Sequence, residues 1–241
     1  MAKKKIKLVA FDLGYTLVYN TREENYIAYL EEKKLDIPLD EIHQAFHYSD
    51  KIFMRYYLGV LGRPPQYFLP WYLGIINHKL KQDFDLIEQT AFFINRTDMT
   101  SYWKCFPWTK DVLVELKENG YMVALLSNWD HSCRSLLEGL GIYDEFDYIL
   151  VSSEVGIQKP DERIFHMLIE ESGLEPEEIL YVGDNYYDDV VGSRKAGIDT
   201  ILINRFGRIG IEEINDCQVV ESTKELLAIL EDVNSDTKIT N

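Results

Sequence analysis

Cysteine is scarce in this 241-residue chain: three residues, Cys105, Cys133 and Cys217, odd in number and far apart. A disulfide-stapled scaffold is excluded, and the expectation is of reduced thiols in a cytoplasm. Long apolar runs are missing as well. The longest, Tyr121–Leu126 and Phe68–Ile76 (the second broken by Pro70 and Gly74), fall far short of the ~20 residues of a membrane span. The basic start Met1–Lys5 leads into too short an apolar stretch before Asp12 to read as a signal peptide. Positive charge is in deficit, with 25 Lys and Arg against 41 Asp and Glu and a net charge of −16. Such a surface repels phosphate backbones and anionic lipid, so neither nucleic acid nor membrane is expected as a partner. There is no P-loop, Cys-x-x-Cys pair, Gly-x-Ser-x-Gly elbow, basic stripe or internal repeat. What remains is ordinary globular composition, 46% hydrophobic and 27% charged, in a chain long enough for one large or two small domains.

A strand–helix rhythm dominates residues 108–204. Buried strands are expected around Ile6–Leu13, at Tyr121–Leu126, Tyr148–Val151, Ile179–Val182 and Thr200–Ile203. Between them, amphipathic helices carry Val112/Leu113/Leu116, Leu136/Leu137/Leu140 and Ile164/Phe165/Leu168/Ile169, each closed by a glycine (Gly120, Gly141, Gly173). Pro160 reads as opening the third of these. Continuous apolar strands alternating with helices predict an α/β fold: a parallel sheet covered on both faces. Residues 19–104 break the rhythm with helical spacing throughout, and 20 of the 31 aromatics lie between Tyr15 and Trp108. This stretch reads as an all-helical domain (19–104) inserted into a core of 1–18 and 105–241, with a frayed polar tail at Ser235–Asn241.

Ligands of an open parallel sheet bind at the carboxyl ends of its strands. Those ends carry Asp12, Ser127-Asn128, and Gly183-Asp184 followed by Asp188-Asp189, and Lys159-Pro160 follows the third core strand on the way into a helix. Carboxylates gathered on one rim repel each other, so the pattern calls for a cation among them: a hard metal ion, the Lys159 ammonium, or both.

In order, Phe11-Asp12-Leu13-Gly14-Tyr15-Thr16-Leu17, Leu125-Leu126-Ser127-Asn128, Lys159-Pro160-Asp161 and Gly183-Asp184-x-x-x-Asp188-Asp189 resemble the four motifs of the haloacid dehalogenase superfamily. The resemblance implies a Rossmann-like core, with the helical insertion as a cap that sets substrate choice. It implies Asp12 as nucleophile through an aspartyl-phosphate, with Ser127 and Asn128 on the substrate. Lys159 would neutralise phosphoryl and carboxylate charge, and Thr16 would brace the loop that aims Asp12. It further implies Mg²⁺ held by Asp12, the Gly14 carbonyl and Asp184, supported by Asp188 or Asp189, with the spacing favouring Asp189. The expected substrate is a small phosphorylated metabolite.

One position departs from the pattern. Phosphatases of this family usually carry a second Asp, the general acid and base, two positions after the nucleophile; here Gly14 stands there. A general acid/base is worth 10²–10⁴-fold. The alternatives are therefore a 2-haloacid dehalogenase, which needs no acid, and a catalytically weak phosphate-ligand-binding protein on the same fold. A phosphonate-cleaving enzyme would use a Schiff-base lysine such as Lys33, Lys34 or Lys51. His43 and His47, four apart on a predicted helix, read as surface or half-buried residues rather than metal ligands, and Ser127 has the plain alternative of a helix N-cap.

Overall fold

In the computed structural model, residues 5–96 and 103–236 are described. The chain forms two compact units, one of Met1–Tyr19, Lys104–Gly207 and Asp216–Asn241, the other of Asn20–Trp103 and Arg208–Asn215.

The first unit is built on a sheet of six strands: β1 (Leu8–Phe11), β4 (Met122–Ser127), β5 (Tyr148–Val151), β6 (Ile179–Gly183), β7 (Asp199–Ile203) and β8 (Gln218–Val220). Their order is β5-β4-β1-β6-β7-β8 and every pairing is parallel. β1 lies at the centre with Ala10 opposite both Ala124 and Tyr181. It is buried along its whole length, the reason its sequence is uniformly apolar rather than alternating. Helices α5 (Thr109–Glu118), α6 (Cys133–Leu140), α7 (Ser152–Val155), α8 (Glu162–Ser172), α9 (Val191–Lys195) and α10 (Leu226–Asp236) complete the unit. Ile164, Phe165 and Leu168 of α8 pack with Leu8, Ala10, Leu126 and Tyr181 of the sheet. Gly141 and Gly173 close α6 and α8 in the left-handed conformation, as the sequence predicts. α8 begins two residues after Pro160, because the Asp161 carboxylate accepts the Arg163 N–H at 3.0 Å and caps the helix there.

The second unit holds α1 (Arg22–Lys33), α2 (Leu39–Tyr56), α3 (Leu69–Lys79) and α4 (Leu86–Arg96) around an aromatic core. Tyr26 meets Phe46 edge-on at 5.7 Å, and Phe53 meets Tyr72 at 5.4 Å. Within it Asp50 is buried but not unpaired: Arg22 Nη1 and the Tyr72 hydroxyl donate to its Oδ1 at 2.9 and 2.7 Å.

Three features were not expected. β2 (Val18–Asn20) and β3 (Trp103–Cys105) form a two-stranded ladder of their own, and β8 extends the main sheet. Residues 208–215, counted with the core on sequence, belong instead to the helical unit. Arg55 donates to the Gly210 carbonyl at 2.9 Å and pairs with Glu213, while Gly210 lies directly against Lys51. α10 runs to Asp236; the rest of the predicted tail, like residues 1–4, lies outside the described residues. No helix among the described residues is long and apolar enough to cross a membrane.

Candidate active site

β1, β4 and β6 run side by side, so Asp12, Ser127 and Asp184 emerge at one sheet edge. The Asp12 N–H continues the ladder for one residue by donating to the Val182 carbonyl at 2.9 Å. The carboxylate of Asp12 is treated unequally: its Oδ1 accepts both the Ser127 hydroxyl at 3.0 Å and the Lys159 ammonium at 2.7 Å. Ser127 ends β4 six residues before α6 begins, so it does not cap that helix.

Lys159, only 3% exposed, is the cation the acidic rim required. Its Nζ also donates to Asp189 Oδ1 at 2.7 Å and to the Tyr181 hydroxyl at 2.8 Å. An ammonium has three donors, and each has an acceptor here. Burial opposes its charge, but Asp12 and Asp189 outweigh that cost and hold its pKa well above the ordinary lysine value. Asn128 fixes the backbone of the same residue, donating from Nδ2 to the Lys159 carbonyl and accepting the Lys159 N–H at Oδ1. Each end of the Asn128 amide thus makes one hydrogen bond to the backbone of Lys159.

Asp189 sits in a π-helical turn, Tyr186–Val190. Such turns fit one more residue into a helical turn and recur at functional sites. Asn185 caps it, its side chain accepting the Tyr187 and Asp188 N–H groups. The Asn185 N–H in turn donates to Asp189 Oδ2 at 2.8 Å. Burial pushes the Asp189 carboxyl up and Lys159 counteracts it. Asp188, half-buried, is pushed up to about 7 by burial and then by the Asp189 charge. Gly183 has a steric reason to be glycine: a Cβ there would fall 2.2 Å from Asp189 Oδ2.

Asp12, Asp184 and Asp189 each offer a carboxylate oxygen, and the three atoms lie within 4.8 Å of one another. All-oxygen donors of this kind suit a hard divalent cation. His43 and His47 enter no such group among the described residues. In the loop after Asp12, the Tyr15 N–H donates to Val18 O and the Val18 N–H to Leu13 O, a pair that leaves out the carbonyl of Gly14. The left-handed residue here is Tyr15 (φ 55°), and Gly14 is not among the positive-φ glycines.

Thr16 is buried, but its hydroxyl has no hydrogen-bond partner among the described residues. The brace expected of it comes from Thr109, whose hydroxyl donates to the Leu17 carbonyl at 2.6 Å. Thr109, Asn185 and Tyr181 were not singled out on sequence. A phenol inside an apolar strand reads as core, and a threonine at a helix start reads as a cap.

A family model for haloacid dehalogenase-like hydrolases matches residues 10–203. The phosphoserine phosphatase of Thermus thermophilus is 39% identical over 116 residues, 48% of this chain and 45% of that protein. The glyceraldehyde 3-phosphate phosphatase of Methanothermobacter thermautotrophicus is 36% identical over 105 residues, 41% of this chain and 44% of that one. Both are thus matched over less than half their length. The crystal structure of a HAD phosphatase from Thermococcus onnurineus is similar over 93% of this chain and 98% of its own, with a TM-score of 0.57 and 25% identity. With four motifs in order, a matching sheet and a family model covering most of the sequence, this chain belongs to the haloacid dehalogenase-like hydrolases.

Proposed function

We propose that this protein is a Mg²⁺-dependent phosphatase that passes the phosphoryl group of a small phosphorylated metabolite to Asp12 and then to water. The observation that carries the reading is the unequal carboxylate of Asp12. With Oδ1 held by Lys159 and Ser127, Oδ2 is the oxygen left to attack phosphorus. Attack forms the Asp12 acyl-phosphate as the ester P–O bond breaks and the leaving oxygen departs with its electron pair. Water then attacks the same phosphorus, releasing inorganic phosphate and restoring the carboxylate. Ser127 and Lys159 restrain Asp12 through both steps, positioning being most of the catalysis in phosphoryl transfer.

Asp12, Asp184 and the Gly14 carbonyl would hold Mg²⁺. Asp189 would support it from behind, its two oxygens already accepting from Lys159 and Asn185. When bound, the ion supplies positive charge for the phosphoryl oxygens. With glycine at 14, the core motif brings no acid to the leaving oxygen, so substrates whose leaving groups need little protonation are favoured. The helical unit, inserted a few residues after Asp12, is the cap that selects among them.

The names of the relatives support a phosphatase, as does the fully acidic fourth motif (Asp184, Asp188, Asp189), whose acid dehalogenases of the family usually replace by an uncharged residue. Against Lys33 as a Schiff-base former, it pairs with Glu88 at 2.6 Å, which raises its pKa and disfavours the neutral amine. Three free cysteines fit a reducing cytoplasm. The test is a screen of phosphate monoesters, acyl phosphates and haloacids, each with Mg²⁺ and with EDTA. Phosphate release abolished by EDTA and restored by Mg²⁺ is expected. Halide release indifferent to EDTA would instead select the dehalogenase, and ligand-dependent thermal shifts without turnover the binding protein.

A further inference from the structure

Tyr181 is fully buried in the middle of β6, two residues before Gly183. Its hydroxyl does two things at once. It accepts a hydrogen bond from Lys159 Nζ at 2.8 Å and donates one to the Leu126 carbonyl at 2.8 Å. Leu126 directly precedes Ser127, so a single phenol links the ammonium to the strand end that carries the serine. The ring is held independently of the hydroxyl, edge-on to Phe165 at 5.2 Å.

We infer that Tyr181 is a positioning residue for the reaction, its hydroxyl completing the set of acceptors that aims the Lys159 ammonium at Asp12. This rests on the phosphatase reading for its kinetic consequence, though not for its geometry. Asp12 and Asp189 supply the charge that keeps Lys159 in place. They leave the third N–H of the buried ammonium to the Tyr181 hydroxyl. A buried donor without a partner is costly, and the ammonium would turn or shift to find one. The Tyr181 hydroxyl satisfies that third N–H and is itself oriented by the Leu126 carbonyl. Asn128 does the same for the main chain of Lys159, so the lysine is held from both ends.

Tyr181→Phe keeps the ring and deletes the acceptor. With an aryl phosphate and saturating Mg²⁺, kcat is expected to fall roughly tenfold with KM within about twofold, the scale of one lost hydrogen bond to a charged group. Ile198→Val is the control. It loosens the same core cluster at a residue outside the ammonium and phenol contacts, and should lower Tm by several degrees while leaving kcat unchanged. A second measurement needs no turnover: in ¹⁵N-labelled protein the Lys159 ammonium, assigned by its loss in Lys159→Met, should give a slowly exchanging Nζ resonance. Its hydrogen exchange should speed up roughly tenfold in Tyr181→Phe. Wild-type kcat in Tyr181→Phe, an equal kcat loss in Ile198→Val, or unchanged ammonium exchange would each overturn the inference. Should the wild-type protein hydrolyse no phosphate ester, the phosphatase reading falls and the ammonium exchange alone decides whether the phenol clamps the lysine.

Discussion

Asn128 holds Lys159 as one peptide group holds another: its Nδ2 donates to the Lys159 carbonyl at 3.0 Å and its Oδ1 accepts the Lys159 N–H at 2.8 Å. The pairing works with only one orientation of the amide, since the flipped form would set like against like. A residue in this role affects the rate through Lys159. Asn128→Ala should therefore lower kcat by roughly tenfold, the cost of two lost hydrogen bonds partly replaced by water, with KM nearly constant. A large rise in KM at constant kcat would return Asn128 to the substrate.

Asp12→Asn should remove turnover by more than roughly 10³-fold, as loss of a nucleophile does. The fold should survive, because Asn keeps the shape and Lys159 retains Asp189 and Tyr181 as acceptors. Circular dichroism and a rate within tenfold of wild type would together remove Asp12 as the attacking group.

Gly14→Asp tests the missing acid. Because Gly14 is not one of the positive-φ glycines, a side chain there meets no left-handed backbone; that strain belongs to Tyr15. The variant should speed alkyl phosphates by up to roughly 10²-fold and aryl phosphates far less, as protonation helps poor leaving groups most. The slope of log kcat against leaving-group pKa is the measurement, and it should flatten in the variant.

Gly183→Ala places a methyl group where the Asp189 carboxylate lies. Either the strand end or Asp189 must move, and both carry the site. A loss of about 1–3 kcal/mol in a urea titration is expected from the overpacking, together with reduced kcat. An unchanged Tm and rate would mean that Asp189 can swing aside without consequence.

Cys133 is fully buried, and burial, reinforced by the charges of Glu154 and Asp12, pushes its thiol up from 9.0 to about 12. The folded protein thus keeps a proton that the unfolded chain releases first. Stability contributed by this thiol is complete below pH 9 and declines through pH 9–12 by up to about 1.4 kcal/mol per pH unit. Cys133→Ala should remove that part of the alkaline decline in a series of denaturant titrations. In the native wild type, an aromatic disulfide reagent at pH 8 should modify at most two thiols until denaturant is added.

Much of the site was legible because buried parallel strands announce themselves as short apolar runs, and whatever follows them must lie at the sheet edge. Asp12, Ser127 and Asp184 needed no more than that. Lys159 needed the further step that gathered acids demand a cation, and Asp189 is preferred to Asp188 only through the family resemblance. What stayed hidden depends on contacts between distant strands. Tyr181 looks like any core aromatic until its hydroxyl is seen between an ammonium and a carbonyl 55 residues away. Thr16 was named for a brace that Thr109 supplies, because sequence order shows which residues neighbour a loop but not which helix packs against it. β2 and β3, three residues each, are too short for any hydrophobic period to register.

The return of residues 208–215 to the helical unit has a practical consequence. That unit is not one continuous insertion, so it cannot be lifted out or exchanged by cutting the chain at 20 and 103. A polypeptide of 20–103 alone would strip Arg55 of Glu213 and of the Gly210 carbonyl, and would uncover the Lys51 side chain beneath Gly210. Exchanging the helical unit for that of a relative therefore requires two splices, with the second short segment travelling together with the four helices.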